Sequence, residues 1–260
     1  MEYYLIGGRQ EFMSQIIWSE ALIPGENIPV KEFISEYYDG KIRIVKTKAV
    51  PIIDRQADLP DRRVYRSLSR VGILLSLACL KAREELNVFL RKDPFSIGVY
   101  CAVENGPVDF ASVKQMVDVP REAFSDSYKR LFNPKMYLRQ LPNLAACQMG
   151  IFLGLLGPAN VYNNSSYGSL HALEQAEMDL SDNRISAALV CSAVSFENPI
   201  IMERIRRSVL NERILCEGAG AMLLVADGTE KSWQDINYEN TDEYFGISHQ
   251  VIVQIMRRGA

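Results

Sequence analysis

The residues best placed to do chemistry are Ser165 and Ser166, in the stretch GPANVYNNSSYGSLHALEQAE from Gly157 to Glu177. Asn160 to Asn164 can extend as a strand, and Leu170, Leu173, Ala176 and Leu180 then follow at helical spacing. A serine on such a strand-to-helix turn is held at the positive end of the helix, where a nucleophile or an oxyanion donor could sit. The same placement serves plain N-capping, in which the hydroxyl accepts a hydrogen bond from a free backbone amide. A nucleophilic alcohol needs a positioned general base. The helix dipole contributes only about 0.3 to 1 kcal/mol, less than the ~1.4 kcal/mol of one pKa unit, so it cannot activate Ser166 alone.

Only two histidines occur in the chain, His171 and His249. His171 lies five residues past Ser166, about 140° around a helix, so it cannot face the same hydroxyl, and it reads as a packed or hydrogen-bonded core histidine. His249, in YFGISHQVI, is the remaining candidate base. Cys79, Cys101, Cys147, Cys191 and Cys216 all lie in apolar segments without a CxxC pair, as buried reduced thiols do. Glu174, Glu177 and Asp179 fit the solvated side of a helix, and Asp109 and Asp118 stand apart. No His, Cys, Asp and Glu cluster has metal-ligand spacing, and Gly7-Gly8 is too short for a phosphate loop, so neither metal nor cofactor is expected.

The elements that must position these residues alternate between strand and helix. Tyr3 to Ile6 reads as a short strand, Glu11 to Ala21 as a helix, Pro24 to Pro29 as a link, Ile42 to Ile53 as an exposed strand or arm, and Asp54 to Arg63 as a surface loop. From Ser67, the residues Leu68, Val71, Leu74, Leu75, Ala78 and Leu80 sit close to helical spacing, and the charged stretch Lys81 to Glu85 ends that helix. Ser96 to Cys101 is a β-branched run that fits a buried strand, and Asp109 to Leu131 is helical in pieces. Asn143 can cap a helix through Leu156 whose small residues Ala145, Ala146, Gly150 and Gly154 permit close packing. Ser186 to Ser195 has the continuous apolar character of a strand covered on both faces, and Gly218 to Ala226 is a further strand. Ser232 to Asn240 is polar, whereas Val251 to Met256 returns to apolar character and should dock.

With 260 residues and 48% hydrophobic content, the chain can bury a sizeable core. It lacks the roughly eighteen uninterrupted apolar residues of a membrane span, and its start, MEYYLIGGRQ, is too short in apolar residues for a secretory signal, so a cytoplasmic location is expected. The net charge of -3 leaves no basic footprint for nucleic acid. The alternation itself predicts an α/β layered domain.

The run LPNLAACQMGIFLGLLGPA, Leu141 to Ala159, followed by the serine turn, resembles the approach to the nucleophile of β-ketoacyl synthases. Glu217-Gly218-Ala219-Gly220 with Ala221 to Leu224 is similar to the GEGAG element of the same family, with Cys216 in place of its first glycine. The resemblance implies half of a thiolase-like fold, a five-stranded mixed sheet flanked by helices, as one N-terminal-type domain over residues 1–260. The family's C-terminal half is missing, which should leave a helix-lined face that must be buried against something. Ser166 falls at the position of the family's nucleophilic cysteine, Ser169 at that of a family glycine with Gly168 one place early, and Glu217 reads as structural. The family's two catalytic histidines belong to the absent half, so no catalytic residue is expected here.

What the resemblance implies is therefore a subunit of chain-length-factor type, similar to short ketosynthase-like subunits of aryl polyene and type II polyketide pathways. Such a subunit is inactive alone, pairs as a heterodimer with a full-length β-ketoacyl-ACP synthase, meets the acyl carrier protein indirectly and shapes the acyl tunnel in fatty acid or polyketide biosynthesis. On this reading Asn160, Val161, Tyr162, Asn163 and Asn164 form the dimer strand, and Met136 and Gln140 reach the partner's acyl pocket. Met136 could equally pack in its own core. Two other readings stay open: an acyltransferase or condensing enzyme using Ser166 with His249 or a partner's base, and a homodimeric scaffold.

Overall fold

The computed structural model describes residues 14–36, 41–51, 68–103, 115–163, 167–196, 213–226, 242–246 and 251–255. Its centre is a five-stranded mixed sheet with helices on both faces. The strands are β1 (Gln15–Leu22), β4 (Ile97–Val103), β5 (Ala159–Tyr162), β6 (Ala187–Val194) and β8 (Gly218–Val225), in the order β1-β8-β6-β4-β5. β4 runs parallel to both β5 and β6, whereas β8 is antiparallel to β6 and β1. β4 and β6 are buried at every position, so they are apolar throughout and alternate only in which face each residue serves.

That alternation builds two cores. Val99, Cys101, Leu189, Cys191, Ala221 and Leu223 face one side, against helices α1 (Arg70–Leu80), α2 (Arg83–Leu90) and α5 (Asn143–Leu153). Tyr100, Ala188, Val190, Met222 and Leu224 face the other, against α6 (Gly168–Ser181) and the helical residues 251–255. Helix α1 is capped as its sequence requires: Ser69 Oγ accepts from Gly72 N, and the helix then buries eight of its eleven residues. A turn at Lys81 and Ala82 lets α2 start anew, where the charged stretch reads in sequence as a simple stop. Two short helices, α3 (Phe124–Leu131) and α4 (Pro134–Arg139), precede α5.

A smaller sheet consists of β2 (Lys31–Glu36), β3 (Ile42–Lys48), β7 (Ile214–Cys216) and β9 (Glu243–Tyr244); β3 is the first part of the Ile42 to Ile53 stretch, whose last two residues lie outside the described residues, and the other strands have no counterpart in the sequence reading. Glu217 joins the two sheets. Its carboxylate accepts from Arg70 Nε at 2.7 Å and Nη2 at 2.6 Å, from Ser195 Oγ at 3.0 Å and from Val50 N at 3.3 Å. Its own amide donates to Lys48 O, so the structural role read for Glu217 is that of a bolt between β3, α1 and β8. Removing one member of so buried a pair strands a charge.

Several expectations need correction. Glu11 to Ala21 is not a helix: the described part is strand β1, paired with β8, in which Ile16 packs on one core and Trp18 on the other because the register shifts between them, while Ile17 and Ser19 are exposed. The cap of α5 falls on Pro142, with Asn143 as the first helical residue and no side-chain cap bond. α5 ends at Gly154 in the left-handed region, φ 73°, instead of running to Leu156. α6 begins at Gly168, with Tyr167 at its cap, two or three residues later than the serine pair. Cys147 is exposed, unlike the other four cysteines, because it lies on the outer side of α5 between Asn143 and Ile151. The strand read at Tyr3 to Ile6 and the loop at Asp54 to Arg63 lie outside the described residues. The outer face of α6 carries mixed side chains. Its exposed positions are His171, Glu174 and Met178, and all five residues from Val251 to Ile255 are buried, four of them against the sheet's apolar clusters. No described helix is long and apolar enough to cross a membrane.

Candidate functional site

The candidate site lies where β5 leaves the sheet and the chain turns into α6. The approach is tightly held. Val99 N donates to Pro158 O at 2.8 Å, Leu156 N donates to Pro94 O at 3.0 Å, and a Cβ on Gly157 would stand 2.2 Å from the Ile97 carbonyl oxygen. Only glycine lets the chain pass that close to β4. Val161 then pairs with Cys101, and Tyr162 with Ala102, in parallel register.

β5 is the last strand of its sheet, so its outer edge carries no strand among the described residues. Helices α5 and α6 both pack on it. Ile151 on α5, 66% exposed, Leu156 on the approach to β5, 56% exposed, and Tyr167 at the start of α6, 55% exposed, are large apolar side chains open to solvent on the elements next to β5 in the chain or packed on it. Of the five residues assigned to the dimer strand, Asn160, Val161 and Tyr162 are in β5, Asn163 follows it, and Asn164 lies outside the described residues. Met136 belongs to α4, and Gln140, half-buried, follows that helix with its amide bonded to Tyr137 O.

Ser165, Ser166 and His249 lie outside the described residues. His171 is described and corrects its reading: it is exposed on the first turns of α6, with the rings of Tyr162 and Tyr167 at 6.2 and 6.3 Å. The missed signal is positional. Leu173, Ala176 and Leu180 are all buried, and a residue two before Leu173 points away from that face.

Elsewhere the polar groups are spent on structure. Tyr100 Oη donates to Asp179 Oδ2 at 2.6 Å inside the core, and Gln175 and Arg184 hold Asp179 Oδ1. Asp179 is thus buried, where the sequence placed it on a solvated face. Burial, together with that bond, pushes the Tyr100 phenol far up, so it remains a donor. Three thiols meet on the other face of the sheet. A hydrogen bond with Cys191, and then burial, hold Cys79 and Cys101 well above the ordinary thiol range. The same bonds pull Cys191 down against its own burial, but all three are sealed from solvent and unable to meet a substrate. Among the described residues no His, Cys, Asp and Glu group could hold a metal ion.

No family model matches the chain, and no curated protein matches it. Solved structures do. A β-ketoacyl synthase from Burkholderia phymatum STM815 superposes with TM-score 0.53 at 18% identity, over 70% of this chain and 48% of that one. The AntDE ketosynthase, solved with its type II PKS acyl-carrier protein AntF, gives TM-score 0.62 at 13% identity, over 84% and 63%. This chain has a ketosynthase fold. The ketosynthase ApeO with its chain length factor ApeC from Xenorhabdus doucetiae matches with TM-score 0.56 at 11% identity, over 86% of this chain and 61% of that one. The chain spans about half to three fifths of the ketosynthase structures it matches. The mixed sheet and its two helical layers are the half of the thiolase-like fold that the resemblance implies.

Proposed function

We propose that this chain is a ketosynthase-like subunit of chain-length-factor type, which pairs with an active β-ketoacyl-ACP synthase and shapes its acyl tunnel without itself catalysing condensation. The observation that carries this reading is the outer edge of β5, which is unpaired among the described residues, together with exposed Ile151, Leu156 and Tyr167 on α5, on the approach to β5 and at the start of α6. An open strand edge beside apolar side chains is a template for another strand. Solved neighbours named as ketosynthase and chain length factor pairs, ApeO with ApeC and the ishigamide pair, support the same partner chemistry.

In the proposed complex Val161 lies at the centre of the intersubunit ladder, Met136 and Gln140 approach the partner's acyl pocket, and the acyl carrier protein is met through the ketosynthase. Ser166 stands at the nucleophile position with no base assigned to it, so the chemistry belongs to the partner. The pathway class is fatty acid or polyketide assembly, of the aryl polyene kind. The test is co-purification of the chain with the ketosynthase of its own operon. Wild type should give a stable heterodimer, and Val161→Pro, which removes a backbone donor and fixes φ near -65°, should abolish it. An unchanged affinity would overturn the docking mode. Recovery of the chain only as a homodimer would favour a scaffold instead.

A further inference from the structure

No residue of α3 is buried, and among the described residues its strongest packing is with the short turn that leads into it. Yet the helix is amphipathic. Phe124, Tyr128 and Leu131 recur at helical spacing on one side, and Asp126, Lys129 and Arg130 lie on the other. The polar side is closed on itself: Lys129 Nζ stands 3.9 Å from Asp126 Oδ1, and Arg130 donates to Asp126 O at 3.4 Å and to Ser127 Oγ at 3.2 Å. The aromatic side is open and continues past the helix. Phe124 stacks on Tyr128 with centroids 6.3 Å apart, Tyr128 meets Phe132 at 5.7 Å, and Phe132 meets Tyr137 of α4 at 6.4 Å. All four rings are about half exposed.

Area and continuity decide what covers this row. β5 is four residues long, and with Ile151, Leu156 and Tyr167 it falls well short of the roughly 20 to 30 residues, or about 800 Å², that each partner commits to a stable interface. Four half-exposed rings, each of roughly 150 to 250 Å², add about 400 Å². The row also runs into the residues placed at the partner's acyl pocket: Tyr137 follows Met136 on α4, and Gln140 N donates to Tyr137 O at 3.1 Å. Phe and Tyr concentrate in the cores of interfaces, whereas the charges of α3 are engaged within the helix. Resting on the pairing proposed above, we infer that the aromatic row of α3 and α4 docks in an apolar groove of the ketosynthase partner, as a second anchor in addition to the β5 edge. Recognition at this anchor is by apolar area, so salt does not weaken it.

The test is calorimetric titration of the full chain with the ketosynthase of its own operon, together with hydrogen exchange on the wild-type complex. Phe124→Ser with Tyr128→Ser should raise the dissociation constant about thirtyfold, with unchanged circular dichroism and thermal midpoint because these rings lie outside the core. Lys129→Gln with Arg130→Gln should leave it within about twofold at low and at high salt. In the wild type, the amides of α3 should exchange more slowly once the ketosynthase is added. Unchanged exchange of α3 in the complex, or unchanged affinity of the Phe124 and Tyr128 variant while Val161→Pro abolishes binding, would overturn the second anchor and leave the pairing at β5 standing. A wild-type chain that does not bind the ketosynthase would overturn both, and protection of α3 by the acyl carrier protein alone would overturn the anchor.

Discussion

The outer face of α6 and the β5 end of the same sheet are both places where a second ketosynthase-like body could lie, and they carry opposite chemistry. On α6 the open positions are His171, Glu174 and Met178, and the helical residues 251–255 complete the cover of the sheet beside it. At the β5 end the outer stripe of α5 runs Asn143, Cys147, Ile151, and Leu156 and Tyr167 flank an unpaired strand edge. The first face is finished for water. The second retains apolar area and backbone groups that a partner strand could use, as the docking proposed at β5 requires.

The largest expected effect removes the bolt between the two sheets. Arg70→Met leaves Glu217 buried with only neutral donors, and should cost about 3 to 5 kcal/mol of unfolding free energy in a urea titration. If the loss stays under about 1 kcal/mol, the two sheets are held together by apolar packing alone. The comparison itself is sharpened by matched charge insertions. Ile151→Glu should leave the urea midpoint unchanged and weaken ketosynthase binding by about 2 kcal/mol, roughly thirtyfold in dissociation constant by calorimetry. Met178→Glu, on the α6 face, should change neither quantity by more than about 0.5 kcal/mol. Equal losses of binding from both would remove the distinction between the faces. Between these extremes, Tyr100→Phe deletes a buried donor to Asp179 while Gln175 and Arg184 remain, for about 1 to 3 kcal/mol of stability. Ser166→Ala should leave turnover of the assembled complex within about twofold, whereas a hundredfold loss in an intact complex would make Ser166 a nucleophile.

The strands β4, β6 and β8 are legible in the sequence because strands covered on both faces must be apolar at every position. α1 and α6 are legible because one face of each packs on those strands and repeats with the helical period. β1 is misread because Ile16-Ile17-Trp18 lies in a short mixed segment, and its partner β8 is some two hundred residues away; only the pairing decides between helix and strand. Likewise nothing local announces β7 and β9, three and two residues long, since their stability comes from neighbours in the ladder. At the site, the depth of Gly157 against Ile97 is a tertiary fact that no local pattern announces. Asp179 shows the same limit. A carboxylate three turns along a helix, beside Glu174 and Glu177, reads as solvated until a tyrosine from β4 is found beneath it.

The claim that the chain shapes a tunnel without doing its chemistry is tested most directly by the product profile of the reconstituted ketosynthase complex carrying Met136→Trp. The larger side chain should occupy volume needed by the distal end of the growing chain, so products should shorten while the rate of the condensations that still occur is kept. An unaltered product length in an intact complex would contradict the account, and would return Met136 to the packing of its own chain.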